Sequence, residues 1–465
     1  MSQTTAKSSP KISLLRVLGP AHVWALGVGI VLVGEYMGWN FAVGKGGAYA
    51  ALIACWAAGL LYTCVAMIDS EVTSTVAAAG GQYAQAKHII GPLMAFNVGL
   101  YLVFAYTMLE AANAITVGFL VDTVAGMSGH SGIDQRPFIV LSIIFLAWLN
   151  YRGVLATLTF SLVITAFAFV AIIVLFFGVA PWNVDSPLKH VELLGNQPAL
   201  PYGWLGVLAA MHFGLWYYLG IEGTTQAAEE VRSPARSLPF GTMAGIITLL
   251  IAATLTWYVS TGLMPWEYLG QAGVPLFDAA RLSGSTVLMV ILGIGTLFST
   301  LASANGCIND ASRAWFSMGR DHYLPAWFGA VHPTYRTPYR SIIFLVPIAL
   351  IFALGAPLDQ VITFSIVSGL LGYTFMPLNI ILFRRKWPLD TIKRGYVHPF
   401  HPLPAIVLLA LCGVTYVAVF LGYGTQLVSM VAFYIVVSLW FHFWRYQFVS
   451  RGKQFTMPWP RPKGY

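Results

Sequence analysis

Gly27-Val28-Gly29-Ile30-Val31-Leu32-Val33-Gly34-Glu35-Tyr36-Met37-Gly38-Trp39-Asn40 and Trp216-Tyr217-Tyr218-Leu219-Gly220-Ile221-Glu222-Gly223 each set one glutamate among glycines and aromatics inside an apolar run. The surroundings decide what such runs are. Only 9% of the 465 residues are charged and 58% are hydrophobic, whereas a soluble chain carries about a quarter charged residues to cover its surface. Much of this surface must face lipid. Apolar segments of roughly 20 residues cross a bilayer core, and twelve are expected here: 21–44, 49–68, 92–121, 137–150, 153–180, 203–228, 240–264, 286–308, 341–354, 361–383, 403–422 and 427–443. The fourth and ninth are short.

The basic residues orient these spans. Of 25 Lys and Arg, only Lys45, Arg136, Lys189 and Arg281 fall in the loops of one face. The rest fall in the opposite loops and the two tails, so the positive-inside rule puts both ends in the cytoplasm and explains the net charge of +8 without nucleic acid. The expected location is the inner membrane. Residues 1–20 read as a cytoplasmic tail without a cleavable signal, and 444–465 as a second one. Cys55, Cys64, Cys307 and Cys412 lie in apolar stretches with no CxxC spacing and read as small hydrophobes.

In lipid a helix can interrupt its hydrogen-bond ladder only where protein or a water-filled cavity replaces the lost partners. A carboxylate at membrane depth costs roughly 2.5–3.5 kcal/mol on insertion scales. Glycines alone are explained by close helix packing; a glutamate beside them in two separate spans is not. The spans concerned are the first and the sixth, which correspond if one to five and six to ten are inverted repeats. Paired interruptions of that kind point to a site near the midplane. Glu110, in the third span, is a candidate for ligand contact, proton coupling or a bond to a neighbouring helix. Asp69 and Glu71, at the end of the second span, are expected to be solvated, and Asp310 with Arg313 to form an interfacial pair three residues apart. His212 reads as a structural hydrogen-bonding group or a vestibule residue. His398 and His401 lack a third ligand, so neither a metal nor a cofactor is assigned. A membrane-embedded enzyme needs a nucleophile, an acid–base pair or a metal cluster at depth, and no GxSxG or HExxH occurs. A scaffold or transceptor role finds little soluble surface.

Three further passages carry a resemblance. Ala78-Ala79-Gly80-Gly81-Gln82-Tyr83 is followed by Gly91-Pro92. Ala228-Glu229-Glu230-Val231-Arg232-Ser233-Pro234-Ala235-Arg236-Ser237-Leu238-Pro239 follows the sixth span. Ala311-Ser312-Arg313-Ala314-Trp315-Phe316-Ser317-Met318-Gly319-Arg320-Asp321 leads to Leu324-Pro325, Val331-His332-Pro333 and Thr337-Pro338. In this order the chain resembles the amino acid–polyamine–organocation permeases, and through Gly38-Trp39-Asn40 and the 216–230 passage it is most similar to their ethanolamine permease branch. The resemblance implies an all-α polytopic membrane protein of twelve transmembrane helices. It further implies a five-plus-five inverted repeat (leucine-transporter-like fold), with helices 1 and 6 unwound. On that reading 21–383 is the transport core, with repeats at about 21–180 and 203–383, and 403–443 adds helices 11 and 12.

Carriers of this family hold a substrate carboxylate on free backbone N–H groups of the first helix. The matching stretch here is Gly34-Glu35-Tyr36, where a glutamate carboxylate would repel such a group. That departure favours a substrate with net positive charge, and aromatic faces attract ammonium ions by about 0.5–2 kcal/mol. The expected contacts are therefore Gly34, Glu35, Tyr36, Trp39, Asn40, Glu110, Trp216, Tyr217, Gly220 and Glu222. Glu35 and Glu222 would flank a small alkylammonium, and Asn40 or freed backbone would take a polar tail. Zwitterionic or cationic amino acids and polyamines are the alternative substrates. The family's proton-coupling lysine in the fifth helix is absent from 161–171. Ser299, Thr300 and Ser303 stand as weak sodium candidates beside a proton or no coupling ion at all.

Overall fold

The computed structural model describes residue 14 and residues 16–130, 132–179 and 200–449. The tails to residue 13 and from 450 lie outside the described residues, as does the connection 180–199. With them go Lys7, Lys11, Lys189, Arg451, Lys453, Arg461 and Lys463. Among the described residues every regular element is helical, apart from one isolated bridge between Leu18 and Val231. Helix is the expected answer to an apolar environment, because it satisfies each backbone group within its own segment.

In chain order the elements are α1 Pro20–Val31, α2 Val33–Tyr36, α3 Asn40–Gly46, α4 Ala48–Thr73, α5 Gln82–Ile89, α6 Pro92–Met127, α7 Arg136–Arg152 and α8 Val154–Val179. Then come α9 Gly203–Gly214, three 3-10 turns (Leu215–Tyr217, Ile221–Thr225 and Ala228–Glu230) and α10 Pro234–Leu263. The remainder is α11 Trp266–Leu269, α12 Pro275–Leu282, α13 Thr286–Arg320, α14 Tyr339–Gly355, α15 Leu358–Lys386 and α16 Leu403–Trp440. Prolines in the first turn of α6, α7, α10, α12 and α16 start those helices where a missing N–H costs nothing. Among the described residues, eight segments are long and apolar enough to cross a membrane, and the bent pair α1–α2 plus α3, with 46° between its halves, makes nine. α7 and α14 are shorter, at 17 residues each.

α16 is not one rod. Tyr423 leaves helical geometry (φ −140°, ψ 41°), and the contacts along α15 show what happens there. Before the kink, Tyr416 meets Thr374 and Tyr423 meets Asp359; after it, Gln426 meets Gln360 and Tyr434 meets Ser368. The first half therefore runs against α15 and the second half runs with it, so α16 is a hairpin.

α13 extends to Arg320, well past the apolar run that ends at 308, because Asp310, Arg313 and Ser317 find buried partners inside the bundle. Lipid is the natural solvent of the outer surface. Leu141, Val163, Val287, Ile351 and Phe420 are all well over half exposed, an apolar area no soluble monomer presents.

The two ends of the bundle differ. At the end that gathers Leu14, residues 16–18 and residues 441–449, the backbone of Val17 and Leu18 donates to the Glu230 carbonyl and Arg232 donates back to Leu18. At the opposite end a cavity of about 660 Å³ opens, lined by Gly38, Asn40, Phe41, Lys45, Asp359 and Tyr423 among others. These are called the strap end and the vestibule end below.

Candidate functional site

Both interruptions read from the sequence are present as breaks in helix geometry. In the first, Met37 is extended (φ −162°, ψ 155°) and Gly38 takes φ +93°, a left-handed value that only glycine adopts freely. In the second, the 3-10 turn Leu215–Tyr217 gives way at Tyr218, and Gly220 takes φ +109°. The breaks cradle one another. A methyl on Gly34 would lie 2.4 Å from the Trp216 carbonyl oxygen, one on Gly38 2.0 Å from the Trp216 ring, and one on Gly220 2.4 Å from Ile30. These glycines are therefore required by close approach.

Glu35 ends up wholly buried with neither carboxylate oxygen hydrogen-bonded. Tyr217, Tyr218 and Cys55 lie within its electrostatic reach. Around the same break, the indole N–H groups of Trp39 and Trp216 and the hydroxyl of Tyr217 are also buried without partners. Trp39 stacks on Tyr217 with centroids 5.7 Å apart. Its chain neighbours Gly38 and Asn40 line the vestibule, while Trp39 and Glu35 are both 0% exposed. An unpaired buried carboxylate is costly, as are unpaired buried donors. The break is chemically unsatisfied, with one acceptor for a cation and three donors for an oxygen.

Other expected contacts are placed differently. Tyr36 turns away, its hydroxyl donating to the Ala168 carbonyl at 2.7 Å. Asn40 uses its amide on the backbone, accepting from the Gly38 N–H at 3.0 Å and donating to the Leu269 and Ala272 carbonyls at 2.8 Å each. In this conformation it latches the break. Glu222 joins a second polar group: Tyr373 donates to its Oε1 at 2.7 Å and Tyr106 at 3.4 Å, while Oε2 has no side-chain partner. Glu110, one helical turn from Tyr106, is buried with both oxygens free. Ser299 and Thr300 bond back to the Thr296 carbonyl of their own helix. Ser303 instead donates to the Ile30 carbonyl at 2.5 Å and accepts from Asn113 at 2.8 Å, tying α13 to α1 beside the break.

Three expectations need correction. Asp69 and Glu71 are buried, not solvated. Asp69 accepts from Gln85 and Thr73, and Glu71 is held by Arg384, Arg394 and His398. Burial is repaid there by a network that gathers residues 384–398 onto the end of α4, which sequence separation hides. Arg313 does not pair with Asp310; it forms a two-oxygen pair with Glu230 at 2.8 and 2.9 Å, both residues buried. The 3-10 turn at Ala228–Glu230 swings Glu230 under α13, where it outcompetes an acid on the same helix. His212 does not line the vestibule and its Nε2 is buried without a hydrogen-bond partner; the ring packs against Phe213 and Tyr423 with centroids at 4.3 and 5.0 Å. The four cysteines are free and buried, and no group of three metal-ligating side chains occurs among the described residues.

The strap end is closed in depth. Beyond Glu230–Arg313 come Arg320–Glu229 at 2.9 Å, Lys87–Asp321 at 2.8 Å with Tyr83 donating to the same carboxylate, and Ser317 donating to the Ala79 carbonyl. Burial pushes the Glu230 carboxyl up from its ordinary value, and the Arg313 guanidinium pulls it only part of the way back. The conformation is thus sealed by several ionic layers at the strap end. The three motif passages of the sequence supply this seal. Tyr106, Tyr373 and the Glu230–Arg313 pair escaped the sequence reading. Only Tyr106, spaced i−4 from Glu110, left a local signal there.

The amino acid permease family model matches residues 21–456. The chain is 77% identical over 463 residues, 99% of each protein, to an uncharacterized transporter of Rhizobium meliloti (strain 1021). It is 26% identical to a methylthioribose transporter of Bacillus subtilis (strain 168), over 88% of this chain and 90% of that one. To the branched-chain amino acid permease BcaP of the same organism it is 23% identical, over 87% and 88%.

Proposed function

Because the chain belongs to the amino acid permease family of the amino acid–polyamine–organocation superfamily, and is therefore a membrane transporter and not an enzyme, we propose that it imports a small organic cation such as ethanolamine or a related alkylamine by alternating access. One observation carries this reading: Glu35, a buried carboxylate with no partner, at a helix break walled by aromatics. An ammonium supplies the missing charge, and the Trp39 and Tyr217 faces add cation–π attraction. The free donors of Trp39, Trp216 and Tyr217 then suit an oxygen a few bonds from the nitrogen. Ethanolamine has both groups.

The same donors favour the second reading, a zwitterionic or cationic amino acid or polyamine permease, since a substrate carboxylate also accepts from them. Glu35 would then have to be neutral. The relatives named for methylthioribose and for branched-chain amino acids bear different substrate names within one family.

The architecture proposed is twelve spans with a five-plus-five inverted repeat. It is supported by the hairpin in α16, the short helices α7 and α14, and the matched breaks in the first and sixth spans. The strap end is assigned to the cytoplasm and the vestibule to the outside of the inner membrane. Lys45 lines the vestibule, while Arg313, Arg320, Arg384 and Arg394 gather at the strap end, the asymmetry the positive-inside rule demands. In the cycle, Trp39 swings aside, the cation reaches Glu35, and opening of the strap end releases it inward.

The test is uptake of labelled ethanolamine into proteoliposomes, competed by choline, small alkylamines, serine, arginine and putrescine. Alkylamines are expected to compete and serine not to. Stronger competition by serine or arginine would overturn the alkanolamine assignment in favour of the second reading.

A further inference from the structure

Four arginines of the strap end are neutralised where they stand. Arg313 and Arg320 pair with Glu230 and Glu229, and Arg384 and Arg394 both pair with Glu71. Arg152, the last residue of α7, and Arg340, the second residue of α14, are different. Among the described residues neither forms an ion pair, and the remaining acid of the strap end, Asp321, is taken by Lys87.

Each is held by rings instead. The Arg152 guanidinium lies 5.5 Å from the centre of the Trp148 ring and 5.3 Å from that of Tyr335, and donates to the Tyr335 hydroxyl at 2.8 Å. The Arg340 guanidinium lies 5.5 Å from the ring centres of both Trp327 and Tyr339, and its Nε donates to the Tyr339 hydroxyl at 2.9 Å. Tyr151 joins the two sets, meeting Tyr335 edge-on at 5.7 Å and Tyr339 at 6.1 Å. Rings orient a guanidinium without cancelling its charge. A guanidinium has five N–H groups, so both arginines keep most of their donors as well.

Between the same two helices a groove of about 380 Å³ opens on the outer surface. Ala147, Trp148 and Tyr151 of α7 line one side and Ile343, Val346 and Pro347 of α14 the other, and no charged side chain takes part. Trp148 and Ile343 are each more than half exposed, so no described part of the chain covers the groove. α7 ends and α14 begins at the strap end. The groove therefore leads from the two arginines into the apolar depth of the bilayer.

An occupant must be apolar along the groove and negative at its mouth. A phospholipid with net negative charge meets both demands: an acyl chain follows the groove, and the planar fork of each guanidinium matches phosphate oxygens. A zwitterionic lipid leaves the two cations uncompensated. Trp148, Trp327 and the tyrosines stand where aromatic side chains mark headgroup depth, and basic pockets between membrane helices recognise acidic headgroups.

We propose that the α7–α14 groove, with Arg152 and Arg340 at its mouth, is a binding site for one anionic phospholipid. In the topology proposed above it draws that lipid from the cytoplasmic leaflet, whose surface is negative. The site is independent of which substrate the protein carries.

Full-length protein, purified in detergent and stripped of lipid, is titrated with phosphatidylglycerol or phosphatidylcholine, and bound lipid is counted by native mass spectrometry. One phosphatidylglycerol is expected to bind at concentrations where phosphatidylcholine does not. Arg152→Gln and Arg340→Gln are each expected to weaken that binding about fivefold, and about thirtyfold together. Ile343→Trp, which fills the groove and leaves both arginines in place, is expected to weaken it as well. Excess inorganic phosphate is expected not to displace the lipid; displacement would reduce the site to a plain anion site and overturn the proposal. Equal binding of the two lipids, the mark of bulk annular lipid only, also overturns it, as does phosphatidylglycerol binding that survives in the double variant. A dimer that both Ile343→Trp and the double variant abolish would assign the groove to a second copy of this chain and overturn it too. If the double variant does not fold, the single variants and Ile343→Trp decide the matter.

Discussion

Glu35→Gln is expected to lower uptake of the cationic substrate by about thirtyfold or more while leaving yield and thermal stability close to wild type. Truncating one partner of a buried, desolvated charge pair costs roughly 2–5 kcal/mol, and about 1.4 kcal/mol is a factor of ten. In this case the partner is the substrate, so the loss falls on binding. The fold has little to lose, because the carboxylate makes no hydrogen bond in the unliganded protein and its neighbours pack by their rings. Labelled uptake with a melting curve on the same preparation measures both. Cation uptake that persists in Glu35→Gln, alongside lost zwitterion uptake, would remove Glu35 from the role of ammonium partner. Gly34→Ala should inactivate more severely and by a different route. Its methyl meets a backbone carbonyl at 2.4 Å, which no rotamer change relieves, so the two broken spans must separate.

The second large effect belongs to the strap end. Glu230→Gln and Arg313→Met, taken singly, are each expected to destabilise the closed protein by about 3–5 kcal/mol, since each leaves an uncompensated buried charge. The double variant is expected to cost less than either single one. The reason lies in the balance at Glu230, whose desolvation exceeds the pull of Arg313. A pair of that kind contributes little net stability and much geometry, and what it fixes is the turn after the second break against α13. Denaturation of the four proteins in detergent forms a double-mutant cycle. Additive losses, with the double variant worst, would show that the pair is net stabilising and refute the argument.

The charge pattern in the sequence also bears on how the protein opens. Acidic Glu229 and Glu230 lie 83 or more residues from Arg313 and Arg320, yet both pairs close the same end. The strap of Val17 and Leu18 adds backbone bonds to the same turn. Opening that end must break buried ion pairs and a backbone bridge together, whereas the opposite end already carries an open cavity. In the absence of ligand, the closed strap is therefore the expected resting state.

What the sequence determined by itself follows from composition and local chemistry. Few charges and long apolar runs require a lipid solvent, and lipid requires helix. Glycine beside glutamate in two separate spans locates the breaks, because a positive φ and an intramembrane acid each have a local signature. Gly38 and Gly220 are where that signature pointed. Tertiary structure decided which polar groups meet. Asp310 and Arg313 look like partners at i, i+3, but the fold brings Glu230 to Arg313 from another turn and leaves Asp310 against Gly223. Asp69 and Glu71 look solvated from their place at a helix end, but the chain from 384 to 398 covers Glu71. Asn40 reads as a ligand group, and the fold brings two carbonyls of the segment 269–272 to its amide at 2.8 Å each. In each case the partner is distant in sequence and near in space. A periodicity records which face of a helix is apolar, and it carries no record of which buried charge a neighbouring helix will present.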